Sequence, residues 1–122
     1  MAERISEGEH AVMEVLWGES PLTASEVAAR IPASRGWSER TVKTMLGRLL
    51  AKGALSHQED GRRYLYRPAV DRAEYAGRET RKLADRLFGG RAAPLVAHLA
   101  AGDGLTEQDI AELEALLKEL KA

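Results

Sequence analysis

Capped segments of helical period and a switch to period two after Gly53 predict a mainly α protein with a small β-hairpin. The organising stretch is Trp37 to Gly53, WSERTVKTMLGRLLAKG. Ser38 is a good N-cap, and Trp37 before it can staple onto Val42 one turn in. Val42, Met45, Leu46, Leu49 and Leu50 follow at the i, i+3, i+4, i+7, i+8 spacing of one buried stripe. Gly53 ends the helix as a left-handed C-cap, with Lys52 in the last turn where the helix dipole favours a cation.

The other elements follow from similar signals. Ser6-x-x-Glu9 is a capping box opening a first helix that runs to about Trp17, with Val12, Met13, Val15 and Leu16 on its buried side. Gly18 and Pro21 break it. Thr23-x-x-Glu26 caps a short second helix, Leu22 can staple to Val27, and Ile31-Pro32 ends it. A polar loop, Ala33 to Gly36, leads to the third helix. After Gly53, Leu55 to Gln58 reads as a strand, Asp60-Gly61 as a type I′ turn, and Arg62 to Arg67 as the return strand closed by Pro68. Helix, helix, helix, hairpin is the order of a winged helix-turn-helix DNA-binding domain, assigned to residues 1–70.

Residues 71–122 return to helix. Asp71 to Phe88 is charged and ends at Gly89-Gly90, Arg91 to Ala101 is short and apolar, and Thr106-x-x-Asp109 caps a last helix. Tyr75, Leu83, Leu87, Leu95, Val96, Leu99, Ile110, Leu113, Leu116, Leu117 and Leu120 are its larger hydrophobes. So short and charged a segment makes a poor core by itself, which predicts a helical dimerisation region that buries these residues against a second copy.

The net charge of −1 over 122 residues argues, taken alone, against a nucleic-acid partner. Its distribution argues the other way. Residues 1–34 carry two basic and six acidic side chains, residues 35–72 nine and four, and residues 73–122 seven and nine. Screening limits each charge to about 8 Å at physiological salt, so the local excess governs. Ser38, Arg40, Thr41, Lys43, Thr44 and Arg48 on the third helix, with Arg62 and Arg63 on the wing, are the candidate DNA contacts. A solvated helix face and a charge-protected strand edge are the bland alternatives. Arg67 fits either reading, and Gly47 fits both a close backbone approach to a groove and a neutral surface position. Tyr64 and Tyr66 read as strand packing, and Trp17 and Trp37 as core. Glu7, Glu9, Glu112 and Glu114 read as solvated.

Other classes find little support. No cysteine is present, so disulfides and thiolate metal sites are excluded. His10, His57 and His98 lack metal-ligand spacing, and no cofactor is expected. No Ser/His/Asp order or glycine-rich phosphate loop suggests an enzyme. The start is too polar for a secretory signal, and no apolar run reaches the ~20 residues of a membrane helix. A cytoplasmic protein is the expectation. A winged-helix module for protein–protein contact is the alternative function.

ISEGEHAVMEVLW, PLTASEVA, WSERTVKTMLGRLLAKGAL and GRRYLYRP resemble the BlaI/MecI/CopY family of penicillinase-type repressors. The segment LVAHLAAGDGLTEQDIAELEALLKEL is similar to that family's dimerisation region. The resemblance implies a homodimeric repressor on a palindromic operator, controlling resistance or stress-response genes, with a membrane sensor-peptidase as a further partner. The chain departs from the family at two places. The Asn-Phe bond cut in penicillinase-type members has no counterpart, since the chain holds no asparagine and reads Ala97-His98-Leu99 there. The C-terminal cysteine cluster of the copper-responsive branch is absent as well.

Overall fold

The structure, a computed structural model, describes residues 4–122. Its elements are α1 (Glu7–Gly18), α2 (Ala24–Arg30), α3 (Glu39–Ala51), β1 (Leu55–Asp60), β2 (Arg63–Pro68), α4 (Arg72–Phe88), α5 (Ala92–Ala100) and α6 (Glu107–Lys121). They fall into two compact units, the first ending at Tyr75 and the second spanning Ala76–Ala122. The first is a winged helix-turn-helix.

Caps set the helix starts. Ser6 and Thr23 each accept the N–H of a glutamate three residues on, whose carboxylate accepts the cap N–H in return. Ser38 caps α3 by accepting the Thr41 N–H at 3.1 Å. Gly36, at φ +62°, closes a single 3-10 turn (Ala33–Arg35) in the loop expected to be irregular. At the far end of α3, Gly53 takes φ +78°, and the Ala54 N–H reaches back to the Leu49 carbonyl at 3.0 Å.

Val12, Met13 and Leu16 of α1 meet Val27 of α2 and Val42, Leu46 and Leu49 of α3, all fully buried. Each such side chain is worth about 1.5–3 kcal/mol relative to exposure. Met45 and Leu50, placed by period in the same stripe, lie only half-buried at its margins, as do Trp17 and Trp37. The stripe widens toward its edges because a helix side buried against two neighbours is a wedge and not a line. α1 and α3 approach closely at Gly8, where a Cβ would stand 3.0 Å from the Met45 methyl and 3.5 Å from the Trp37 ring. Trp17 donates its indole N–H to the Val70 carbonyl at 2.8 Å and packs edge-on against Tyr75 and His10. Tyr75, grouped by sequence with the dimerisation residues, is thus half-buried against its own first unit.

Three corrections concern the wing and α1. Asp60 pairs with Arg63, so the two turn residues are Gly61 and Arg62, not Asp60 and Gly61. Gly61 has φ +67° and Arg62 does not have a positive φ, which excludes type I′ and fits the glycine-first II′ turn. A third strand segment, invisible to periodicity, forms at Leu22, whose backbone exchanges hydrogen bonds with Tyr66 at 2.7 and 3.1 Å. Finally, Glu9 is not solvated. It is 2% exposed, and its Oε1 accepts the Lys52 ammonium at 2.5 Å and the Ser6 N–H at 2.9 Å. Lys52 also donates to the Arg4 carbonyl at 2.8 Å. Glu7, by contrast, stays on the surface and pairs with Arg35 at 2.6 Å.

In the second unit, Gly89 and Gly90 end α4 at φ +59° and +79°, and the Gly90 N–H closes on the Ala84 carbonyl at 2.9 Å. Thr106 and Asp109 form a reciprocal cap on α6. Ala84 is the one buried hydrophobe described in this unit. Leu87, Leu99, Leu117 and Leu120 are 60%, 58%, 54% and 72% exposed, and an apolar groove of about 460 Å³ opens between α5 and α6.

The Glu9–Lys52 pair yields a prediction. Burial pushes the Glu9 carboxyl up, but hydrogen bonds from Lys52 and Ser6 outweigh burial and the net shift is downward from 4.5. The unfolded chain therefore takes up this proton at higher pH than the folded one, and the pair's contribution, complete above about pH 4.5, is lost as pH falls further. Lys52→Met strands a buried carboxylate and should lower unfolding free energy by about 3 kcal/mol at neutral pH in urea titrations. A loss below about 0.5 kcal/mol would mean that Glu9 gains nothing from its partner.

Candidate nucleic-acid interface

Helix α3 turns one side into the core, so the residues between its buried positions must face outward. Arg40, Lys43, Thr44 and Arg48 are exposed, as is Gly47, where a Cβ would meet nothing within 4 Å. The Thr44 hydroxyl donates to the Arg40 carbonyl at 3.1 Å. Thr41 is half-buried, with its hydroxyl 3.1 Å from that of the exposed Ser38. Ser38 therefore has a structural duty as cap, whatever else it touches. These exposed positions come from the helical period alone, and they keep the cations out of the core without any further device.

The wing adds a second source of positive charge. Arg62 is exposed at the turn, between the two residues of the last ladder pair, Asp60 and Arg63. Arg63 is exposed too, but its guanidinium lies 2.9 Å from Asp60, which offsets part of its charge. Lys43, Arg62 and Arg63 share a cleft of about 640 Å³ with the start of α2, Glu39 and Tyr64. Arg40, Thr41, Thr44 and Arg48 lie along α3 outside that cleft. The structure thus brings three of the expected contacts to one concavity and leaves the others on the adjoining helix surface.

The two tyrosines part company. Tyr66 is half-buried, its hydroxyl pushed up in pKa by burial and by Tyr64, and it packs against the core as expected. Tyr64 is 42% exposed and lies 4.7 Å, ring to ring, from His57. His57 also stacks on Tyr66 at 5.9 Å, so the outer wing carries an aromatic platform of three rings. Period two placed the tyrosines on one face; cross-strand pairing of His57 with Tyr66 adds the histidine.

Two acidic groups stand among the cations. Thr23 hydrogen bonds, backbone before side chain, hold the Glu26 carboxyl below its ordinary value, with Arg30 and Arg63 adding to the effect. Glu39, in the first turn of α3, accepts the Ser25 hydroxyl at 2.8 Å and lies 3.6 Å from the Lys43 ammonium. Its pairing with Lys43 was legible as an i,i+4 spacing; the contact with Ser25 was not, since it joins two helices. Among the described residues no cluster of histidine, aspartate or glutamate could hold a metal, and no helix is long and apolar enough to cross a membrane.

Comparison with known proteins agrees with this geometry. The penicillinase repressor family model matches residues 5–119. A penicillinase repressor from Bacillus licheniformis is 34% identical over 118 residues, covering 97% of this chain and 92% of that protein. The solution structure of the DNA-binding domain of the repressor BlaI is 39% identical, with a TM-score of 0.54 over 62% of this chain and 94% of that one. Monomeric Bacillus licheniformis BlaI in complex with the blaP half-operator is also 39% identical, with a TM-score of 0.50 over 62% of this chain and 92% of that one. With its matched helices, wing and exposed cationic face, the chain belongs to the penicillinase repressor family, a family of DNA-binding transcriptional repressors and not of enzymes.

Proposed function

We propose that two copies of this chain bind one palindromic operator in double-stranded DNA and block transcription there, with resistance or stress-response genes under their control. The observation that carries the reading is the outward side of α3, where Arg40, Lys43, Thr44 and Arg48 stand exposed beside the wing arginines. In a helix-turn-helix the recognition helix enters the major groove and its N-terminal residues meet base edges. Here Ser38, Arg40, Thr41, Lys43, Thr44 and Arg48 meet base edges or flanking phosphates, and Arg62 and Arg63 hold the backbone beside the groove. The 39% identical repressor in complex with its half-operator supports the same use of this unit.

The second unit supports the dimer. Leu83, Leu87, Leu99, Ile110, Leu116, Leu117 and Leu120 are exposed in the single chain, and Leu95, Val96 and Leu113 are half-covered. Removing that surface from water supplies the association energy, and a two-fold pair suits an operator whose half-sites lie about 34 Å apart, one turn of duplex. Release from the operator calls for a signal. A membrane sensor-peptidase acting in cytoplasm is one source, and it would have to cut a bond other than Asn-Phe.

The DNA reading is tested by fluorescence anisotropy on a duplex selected from random sequences. Log K should fall linearly with log salt, by ~0.9 for each phosphate neutralised. Lys43→Ala and Arg48→Ala should each weaken binding and flatten that slope, by up to about one phosphate equivalent, while unfolding free energy changes by less than about 0.5 kcal/mol. Absence of binding at low salt ends the proposal. For assembly, sedimentation should give twice the 13.4 kDa chain mass. A Leu116→Glu, Leu117→Glu double variant should sediment as one chain and lose at least roughly tenfold in affinity for a two-half-site duplex, with half-site affinity unchanged. A single-chain mass for the wild type at micromolar concentration would remove the dimer.

A further inference from the structure

Glu39 is a carboxylate in the first turn of α3, half-exposed and within the cleft that holds Lys43, Arg62 and Arg63. It complements the helix dipole from the first turn and meets Ser25 of α2, but it is no part of the cap. Ser38 already caps the helix, and the capping-box position is taken by Thr41. Its two contacts are with exposed side chains, the Ser25 hydroxyl of α2 at 2.8 Å and the Lys43 ammonium one turn on at 3.6 Å. An anion so placed opposes the attraction of any polyphosphate, since it repels the backbone and also occupies the cation that would meet it.

We propose that Glu39 sets sequence discrimination, by demanding an amino group on a base edge when α3 enters the groove. The inference rests on the DNA-binding reading above. In the free protein the carboxylate is solvated and shared by Ser25 and Lys43. Docking α3 strips water from it and draws Lys43 toward DNA, leaving an anion that needs a new donor. The major groove offers one where cytosine presents its N4 amino group, the natural partner of a carboxylate. Sequences without that amino group leave the charge unpaired, so Glu39 rejects wrong sites more than it attracts right ones. Ser25 is the positioning residue. Its hydroxyl ties the carboxylate across from α2, so that Glu39 does not simply swing out to solvent.

The experiment compares the wild type with Glu39→Gln and Ser25→Ala. Sequences bound from a random duplex pool are selected with each, and affinities are measured on the wild-type selected duplex and on an unselected random duplex over a range of salt. Glu39→Gln keeps the size of the side chain and an acceptor for Ser25 but removes the charge. It should bind random duplex roughly tenfold tighter and steepen the salt slope, as Lys43 is freed for a phosphate. One base pair per half-site should lose its preference for cytosine and drift toward adenine, which glutamine pairs bidentately. Ser25→Ala should blunt the cytosine preference without altering net charge. Thermal midpoints of all three should agree within a few degrees, which separates discrimination from folding. If the wild type selects a site but Glu39→Gln selects the same one with the same slope, the role of Glu39 is overturned while DNA binding stands. If the wild type selects nothing, the DNA reading fails first, and this inference goes with it.

Discussion

The packing of α1 across the back of α3 is the constraint on which the rest depends. A recognition helix must show water a row of cations, and its exposed side contributes nothing to folding. Its position must therefore be fixed from behind. Val42, Leu46 and Leu49 are gripped there by Val12, Met13 and Leu16, and the close crossing at Gly8 leaves little slack. The Glu9–Lys52 pair fastens the two helices at the ends where the apolar stripe runs out. Apolar contact resists separation but is non-directional, whereas a buried, hydrogen-bonded charge pair has one satisfactory geometry. The two together hold α3 both in depth and in register. Such a pair adds less to net stability than its contacts suggest, because desolvating two charges offsets much of their attraction.

Charge segregation is the second consequence. The chain is nearly neutral in sum, yet its basic excess lies in residues 35–72, on α3 and the wing. Acidic residues of α1 and α2 are spent locally. Glu9 and Glu26 close capping boxes, Glu7 ties down Arg35, and Glu14 meets Arg72 at 3.2 Å. Arg35 in turn lies over the Trp37 ring at 4.9 Å, so this guanidinium is taken up by the entry to α3. What remains unspent faces outward from α3 and the hairpin tip. A small field of uncompensated cations is enough for phosphate attraction at physiological salt, because distant acidic groups are screened.

How much of this could be read beforehand follows from the range of each interaction. Capping boxes at Ser6, Thr23 and Thr106, the left-handed Gly53 and the period switch after it are local, and each appears in the structure as the residues predict. The exposed side of α3 was legible too, since one period assigns both faces. What could not be read joins residues far apart in the chain. Glu9 and Lys52 are 43 positions apart, Leu22 pairs with Tyr66, and Trp17 reaches the Val70 carbonyl. The turn error at Asp60-Gly61 has a different origin. Both Asp-Gly and Gly-Arg are acceptable two-residue loops, and the register was decided by the whole ladder from Leu55–Pro68 to Asp60–Arg63. Tyr75, grouped by sequence with the last segment, packs on His10 and Trp17, because counting hydrophobes in a segment does not say which of them a neighbouring unit also contacts.

The second unit obeys a different economy. Its helices are well begun and well ended, so local signals do not fail there, yet none of its large apolar side chains is fully buried within the chain. Helices of nine and fifteen residues gain too little from their own backbone to persist as exposed amphipathic rods in water. A second copy is the partner proposed for that surface, on which exposed leucines alternate with Glu112, Glu114, Lys118 and Glu119 along α6. Under the proposed pairing, the surface that looks like a defect in one chain is the source of the affinity that α3 alone lacks. Each recognition helix then need bind only weakly, because the second half-site is presented at high effective concentration once the first is engaged. Weak halves joined by a separable unit also give a release point: any event that parts the second units returns both α3 helices to their weaker single-site affinity without touching the DNA-facing residues.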